Sequence, residues 1–183
     1  MRRSSEQTKA AILRAARDRF SADGYDRATV RAIAAAADID PSMVMRYFGS
    51  KRELFAKAAD LDLKLPDLTT VPRDEVGRAL AGHLIDRWEG DDALRILLRT
   101  AMTDEDASAK MQKIFAGQLT PLIARFTDDP VDAATRAGLA ASQALGLALC
   151  RYVIRLPPVA ALSREEVVEW VGPTLQRYLA GPR

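Results

Sequence analysis

Apolar residues recur at spacings of three and four along almost the whole chain. Nowhere do Val, Ile, Thr and aromatic residues alternate strictly enough for a half-buried strand. Only a helix brings positions i, i+3, i+4 and i+7 onto one face, so the spacing predicts an all-α protein of about nine helices. In the first, over residues 5–22, Ile12, Leu13, Ala16 and Phe20 share the apolar face and Gly24 ends the run. The second starts behind Thr29, a good N-cap, and buries Val30, Ile33, Ala34 and Ala37. After the turn Asp38-Ile39-Asp40, a third helix has Asp40 as its cap and Pro41 at the first position, where a missing N–H costs nothing. Gly49 stops it, and Ser50 with Glu53 reads as a capping box for a fourth. Leu54, Ala58, Leu61 and Leu65 then predict a linking helix over 51–65, ended by Pro66.

The segment PDLTTVP, residues 66–72, breaks the pattern and divides the chain into an N-terminal domain, 1–65, and a C-terminal domain, 66–183. Charge changes sign at about the same place. Residues 1–60 hold 12 Lys+Arg against 8 Asp+Glu, and residues 61–183 hold 15 against 17. Five further helices are expected near 73–89, 92–102, 104–127, 130–155 and 163–180, capped by Asp91 or Asp92, Thr103, Asp129 and Ser163. Pro121 and Pro173 fall inside them and should kink or interrupt them.

Other classes are disfavoured. The longest charge-free apolar run, 137–150, contains Ser142 and Gln143 and falls short of the ~20 residues a spanning helix needs. No membrane partner is expected, and with no apolar signal segment at its start the chain should stay in the cytoplasm. A single cysteine, Cys150, forbids an internal disulfide; with the single histidine, His83, it leaves too few ligands for a Cys/His zinc site, so neither metal nor cofactor is expected. The same scarcity argues against an enzyme. Most of the acidic pairs, such as Asp74-Glu75 and Glu165-Glu166, stand at helix starts, where dipole and capping explain them.

The stretch ADIDPSMVMRYFGSK, residues 37–51, carries the functional argument. A helix, a short turn and a second short helix is the arrangement in which the first braces the second in the DNA major groove. At 100° per residue with Val44 inward, Phe48, Pro41 and Tyr47 lie within about 60° of it and Met43 and Met45 about 100° to either side. Ser42 and Arg46 point outward, one turn apart. Arg bonds guanine bidentately, Met packs on a thymine methyl, and Ser bonds a base or a phosphate. Thr29 with the first N–H groups of its helix, Arg31, the Tyr47 hydroxyl and Lys51 suit the phosphate backbone. Each has a bland alternative: a cap, a half-buried aromatic, solvated charges. Their concurrence around one turn favours nucleic acid.

The run TVRAIAAAADIDPSMVMRYFGSKRELF, residues 29–55, resembles the helix-turn-helix of TetR-type (tetracycline-repressor-like) transcriptional regulators, and the first helix extends the match from Gln7 to Leu61. The matching features are Thr29 at the cap, Ile33-Ala34, the aromatic pair Tyr47-Phe48, then Ser50-Lys51 and Leu54-Phe55. Asp38 and Ser42 stand where glycine is frequent in that family, and Met45 where a tyrosine often touches phosphate. The resemblance implies a three-helix DNA-binding domain followed by a helical ligand-binding and dimerisation domain. It also implies a homodimer on a pseudo-palindromic double-stranded DNA operator, released by an unknown small-molecule effector. A helical protein-interaction module without specific DNA binding is the alternative.

In the C-terminal part, Val131, Ala134, Gly138, Ala141, Leu145, Ala148 and Tyr152 form one seam, and Leu139, Gly146, Leu149 and Val153 a second stripe. A helix so apolar all round is buried on two sides. Ala134, Gly138, Ala141, Leu145, Ala148 and Tyr152, with Trp170 and Tyr178 of the last helix, are the dimer-interface candidates; an ordinary monomeric core is the other reading. His83, Trp88, Met102, Met111 and Phe115 lie in helices that enclose the ligand in similar proteins. Each is equally readable as plain core.

Overall fold

The computed structural model describes residues 4–182 apart from Asp91 and Asp128, so the candidate cap Asp91 lies outside the described residues. Among the described residues there are ten α-helices and no strand: α1 (Ser5–Arg27), α2 (Val30–Ala36), α3 (Pro41–Phe48), α4 (Lys51–Ala58), α5 (Val76–Glu89), α6 (Ala93–Thr100), α7 (Glu105–Ile123), α8 (Pro130–Ala148), α9 (Pro157–Ala160) and α10 (Arg164–Ala180). The short α9 is the one the periodicity does not foresee, since one turn is too short to show a period. The helices form two compact units. One takes the chain up to Leu61 together with Asp92–Asp104; the other takes residues 62–90 and the chain from Glu105 on.

In the first unit α1 packs on α2, α4 and α6, with α2 against α3 and α3 against α4. Ile12, Ala16 and Phe20 of α1, Ile33 and Ala34 of α2, Val44 of α3 and Leu54 and Ala58 of α4 are all buried. Ile12, Phe20, Ile33, Val44 and Leu54 each contribute roughly 1.5–3 kcal/mol by this burial. Phe55 meets Phe20 and Tyr25 edge-on, with centroids 5.2 and 4.9 Å away. Tyr25 arrives there because Gly24 breaks α1 at φ 78°, a value that suits a residue without Cβ. The helix over 93–100, which the sequence groups with the C-terminal domain, is built into this unit against α1.

The linking helix is shorter than the predicted 51–65. α4 stops at Ala58, whose carbonyl accepts from Arg17 Nε at 3.3 Å, and two aspartates follow, which a helix C-terminus disfavours. The chain continues without helix, burying Leu61 and Leu63 at a period of two instead of Leu61 and Leu65 on a helical face. Ser50 caps α4 through the Glu53 N–H at 3.0 Å, and its hydroxyl lies 3.3 Å from the Glu53 carboxylate.

In the second unit α5 lies against α10, and α8 against both α7 and α10. The α5–α10 crossing is close because Gly77 meets Gly172; a Cβ on Gly77 would stand 2.3 Å from the Gln176 backbone nitrogen. Gln176 also accepts the Gly77 N–H at 2.7 Å and donates to the Arg73 carbonyl at 2.7 Å, serving the first turn of α5 in place of a local cap. Arg164 grips Asp86 with two bonds of 2.6 and 2.8 Å, which hold that carboxyl below its ordinary pKa.

Asp129 and Ser163 cap α8 and α10 as expected, Ser163 in a full capping box with Glu166. Thr103 does not cap α7, which begins one residue later than foreseen, and Asp92 makes no side-chain cap to α6. Pro121 and Pro173 are contained within α7 and α10 and interrupt neither. The carbonyls they leave without an N–H belong to Gly117 and Glu169, both on exposed residues. The expected helix over 130–155 is regular only to Ala148 and then widens into a π turn, Leu149–Val153.

Candidate nucleic-acid interface

The turn between α2 and α3 is closed by backbone alone. Ile39 N–H bonds the Ala34 carbonyl at 3.1 Å and Asp38 N–H the Ala35 carbonyl at 3.2 Å, while Asp38 takes φ 56°. That is the left-handed C-terminal closure usually made by glycine. Asp40 then starts α3, accepting the Ser42 N–H at 2.8 Å. The Ser42 hydroxyl and N–H together hold the Asp40 carboxyl below its ordinary value.

α3 presents its residues as the helical wheel requires, with one exception. Val44 is buried, Met43, Tyr47 and Phe48 are half-buried, and Ser42, Met45 and Arg46 are exposed. Pro41, placed on the inner side by the wheel, is exposed at the first position of α3. Arg46 and Arg31 make no ion pair or hydrogen bond among the described residues, so both guanidiniums face solvent uncommitted. Ser42 is outward and exposed, and its N–H bonds Asp40.

Of the phosphate candidates, Thr29 is an exposed cap whose Oγ1 accepts the Ala32 N–H at 3.1 Å, leaving its own proton to donate. Lys51 is already engaged: its Nζ lies 3.3 Å from the Asp26 carbonyl and 4.5 Å from the Tyr25 ring centroid. Tyr47 lines a groove with Leu13, Phe48 and Ala56, and Lys9 stands 5.9 Å from its ring centroid. Sequence reasoning passes over Lys9; only the packing of α1 near α3 brings that cation to the site.

The C-terminal candidates do not form one site. Met111 and Phe115 of α7 line a groove of about 430 Å³ together with Ala134, Gly138, Ala141 and Leu145 of α8, so ligand and interface candidates share one groove. His83 is half-buried and its Nε2 lies 2.8 Å from the Leu63 carbonyl. Trp88 is 2% exposed, its indole N–H has no partner among the described residues, and its ring meets Tyr152 edge-on at 6.4 Å. Burial pushes the Tyr152 hydroxyl above the ordinary tyrosine pKa. Met102 is a correction: it sits 73% exposed in the turn after α6, in the first unit, because its helix ends at Thr100. Ala148 is fully buried within its own chain, whereas Trp170 is 73% exposed. Tyr178 lines a separate cavity with Arg136 and Leu139. The inward seam of α8 is Ala133, Ala137, Ala140, Ala144 and Ala148; Val131, Ala134, Gly138 and Leu139 face outward.

Residues 12–58 match the family model described as "Bacterial regulatory proteins, tetR family", a span that ends with α4. Residues 74–179 match "Tetracyclin repressor-like, C-terminal domain". This chain is therefore a member of the TetR family of transcriptional regulators. An HTH-type transcriptional repressor of Mycobacterium tuberculosis is 38% identical over 81 residues, 43% of this chain and 43% of that protein, and an HTH-type transcriptional regulator of Mycobacterium bovis matches to the same extent. The match thus spans less than half the length of these curated relatives. Among solved structures, a TetR-family regulator from Streptomyces coelicolor is 26% identical, with 97% of each chain covered and a TM-score of 0.61. A TetR-like transcriptional regulator from a Rhodococcus species shares the fold at 21% identity, with a TM-score of 0.71 over 99% of this chain and 100% of that one. TetR-family regulators bind DNA and typically dimerise. No described helix is long and apolar enough to cross a membrane.

Proposed function

We propose that this chain is a ligand-responsive, non-enzymatic repressor in the cytoplasm, which binds a pseudo-palindromic operator as a homodimer and is released by a small-molecule inducer. The DNA-binding role falls to residues 1–65, with α6 packed into the same unit, and ligand binding and dimerisation to residues 66–183. The observation that supports this best is the outer edge of α3, where the uncommitted guanidinium of Arg46 stands opposite the buried Val44. Arg46 reads a guanine, Met43 and Met45 contact thymine methyls, and Ser42 bonds a base or phosphate through its hydroxyl. Thr29, Arg31 and Tyr47 position the helix on the backbone; Lys51 joins them by giving up its contact with Asp26.

Dimerisation is assigned to the outward faces of α8 and α10, where Val131 and Trp170 are 72% and 73% exposed. The effector is assigned to the C-terminal unit, with Met111 and Phe115 in the apolar α7–α8 groove and Trp88 offering an unpartnered donor. Gel shifts on the DNA upstream of the gene test the central reading. Expected is salt-sensitive binding to a short palindrome, weakened roughly 5- to 150-fold in Arg46→Ala with folding retained. Absence of specific binding would leave the protein-interaction module. Sedimentation tests the dimer, and a species of 20.1 kDa at micromolar protein would contradict it.

A further inference from the structure

The chain leaves α4 as a non-helical segment, and the C-terminal unit holds its own residues 62 and 63 by their backbone. Leu63 is the point of attachment. Its side chain is fully buried, its N–H donates to Gln118 Oε1 of α7 at 3.0 Å, and its carbonyl lies 2.8 Å from His83 Nε2 of α5. One residue earlier, the Asp62 carbonyl accepts from Arg87 Nε of α5 at 2.9 Å. One residue later, Lys64 takes φ 47°, a backbone region that L side chains rarely adopt, and its N–H closes onto Asp62 Oδ1 at 3.0 Å.

Buried backbone groups are ordinarily satisfied by the ladder of a helix or sheet. Here side chains from two different helices serve the two sides of one residue. Hydrogen bonds of this kind tolerate changes of only a few tenths of an ångström. A displacement of α7 against α5 therefore cannot keep both bonds to Leu63. α7 is also the helix that carries Met111 and Phe115 into the α7–α8 groove.

We propose that His83, Gln118 and Arg87 form a latch on residues 62 and 63, which fixes how the chain leaves the C-terminal unit and opens when α7 shifts against α5. His83 and Gln118 are positioning residues here, and the chain's single imidazole serves the connector instead of a ligand. The inference rests on the DNA-binding reading and names a means by which occupancy of the C-terminal unit reaches the operator-binding half. With the latch open, the connector gains conformational freedom that must be lost again on DNA, so operator affinity falls.

The test compares full-length variants on a palindromic duplex selected from a random-sequence library, with amide exchange at Leu63 followed in parallel. Gln118→Leu and His83→Phe should each weaken binding about 3- to 10-fold, and the double variant little more than the worse single one, since one device is broken twice. His83→Gln, which retains a donor, and Gln118→Glu, which retains an acceptor, should bind as the wild type does. Loss of a merely structural contact would not follow that donor and acceptor rule. Should Gln118→Leu fail to fold, Arg87→Met, expected to weaken binding in the same sense, takes its place. Faster exchange at Leu63 with operator affinity unchanged within twofold overturns the latch and leaves the DNA-binding reading standing. A wild-type protein that selects no duplex overturns both.

Discussion

In α3 a single side chain, Val44, is buried, and the opposite edge carries a guanidinium and a hydroxyl; in α8 a row of five alanines is buried, and the opposite side carries Val131, Gly138 and Leu139. Both helices expose residues that their own chain does not need. On α3 the exposed groups are chemical, with donors at fixed positions, and they can be read one residue at a time. On α8 the exposed surface is defined by shape and by the lack of charge, and its meaning depends on what approaches it. A function carried by donors is local, whereas a function carried by contour is shared with a partner.

Five outcomes would sharpen or break that contrast, the largest first. Gly77→Ala forces a Cβ to 2.3–2.4 Å of backbone atoms of Gln176 and Gly172, so a loss of about 3 kcal/mol in thermal unfolding is expected. At Gly138 a Cβ meets nothing within 4 Å in its own chain, so alanine there should leave the isolated fold intact. A several-fold weaker dimer in Gly138→Ala, measured by sedimentation across a concentration series, then reports the second copy alone. Arg46→Ala should cost roughly 1–3 kcal/mol of specific operator binding with an unchanged melting temperature. A fall in stability instead would move Arg46 from the chemical class to the packed one.

Smaller effects belong to the turn. Asp38→Gly relieves a left-handed residue and should stabilise the protein by about 0.5–1 kcal/mol, seen as a higher denaturant midpoint. Asp40 has its carboxyl pKa lowered by folding, so its capping contribution is complete above the ordinary aspartate value of 3.8 and is lost as pH falls through the lower folded value. Amide exchange at Ser42 should accelerate in that acidic window and not between pH 5 and 7.

The contrast also explains what the sequence could tell. Caps such as Thr29, Asp40 and Ser163 act within three residues, so the starts of α2, α3 and α10 are legible from the chain alone. The end of α4 is not, because it depends on Arg17 meeting the Ala58 carbonyl from 41 residues away. α6 carries a strong helical period, yet nothing local says that it packs on α1. Lys51 reads as a free phosphate ligand until Tyr25 and Asp26 are folded beside it. On α8 the periodicity marks the helix as doubly apolar but cannot choose which seam its own core takes; the inward seam is a row of alanines that shares only Ala148 with the interface candidates. His83 shows the same limit, since its partner is a backbone carbonyl that sequence patterns do not display.

The central claim is that the outer edge of α3 reads base edges through Arg46. Replacing single guanines of the operator with 7-deazaguanine removes one acceptor of the arginine pair without touching the phosphates. The account predicts one guanine in each half-site at which this replacement weakens the wild type about tenfold and has no further effect on Arg46→Ala. Equal sensitivity of wild type and variant at every guanine would contradict it.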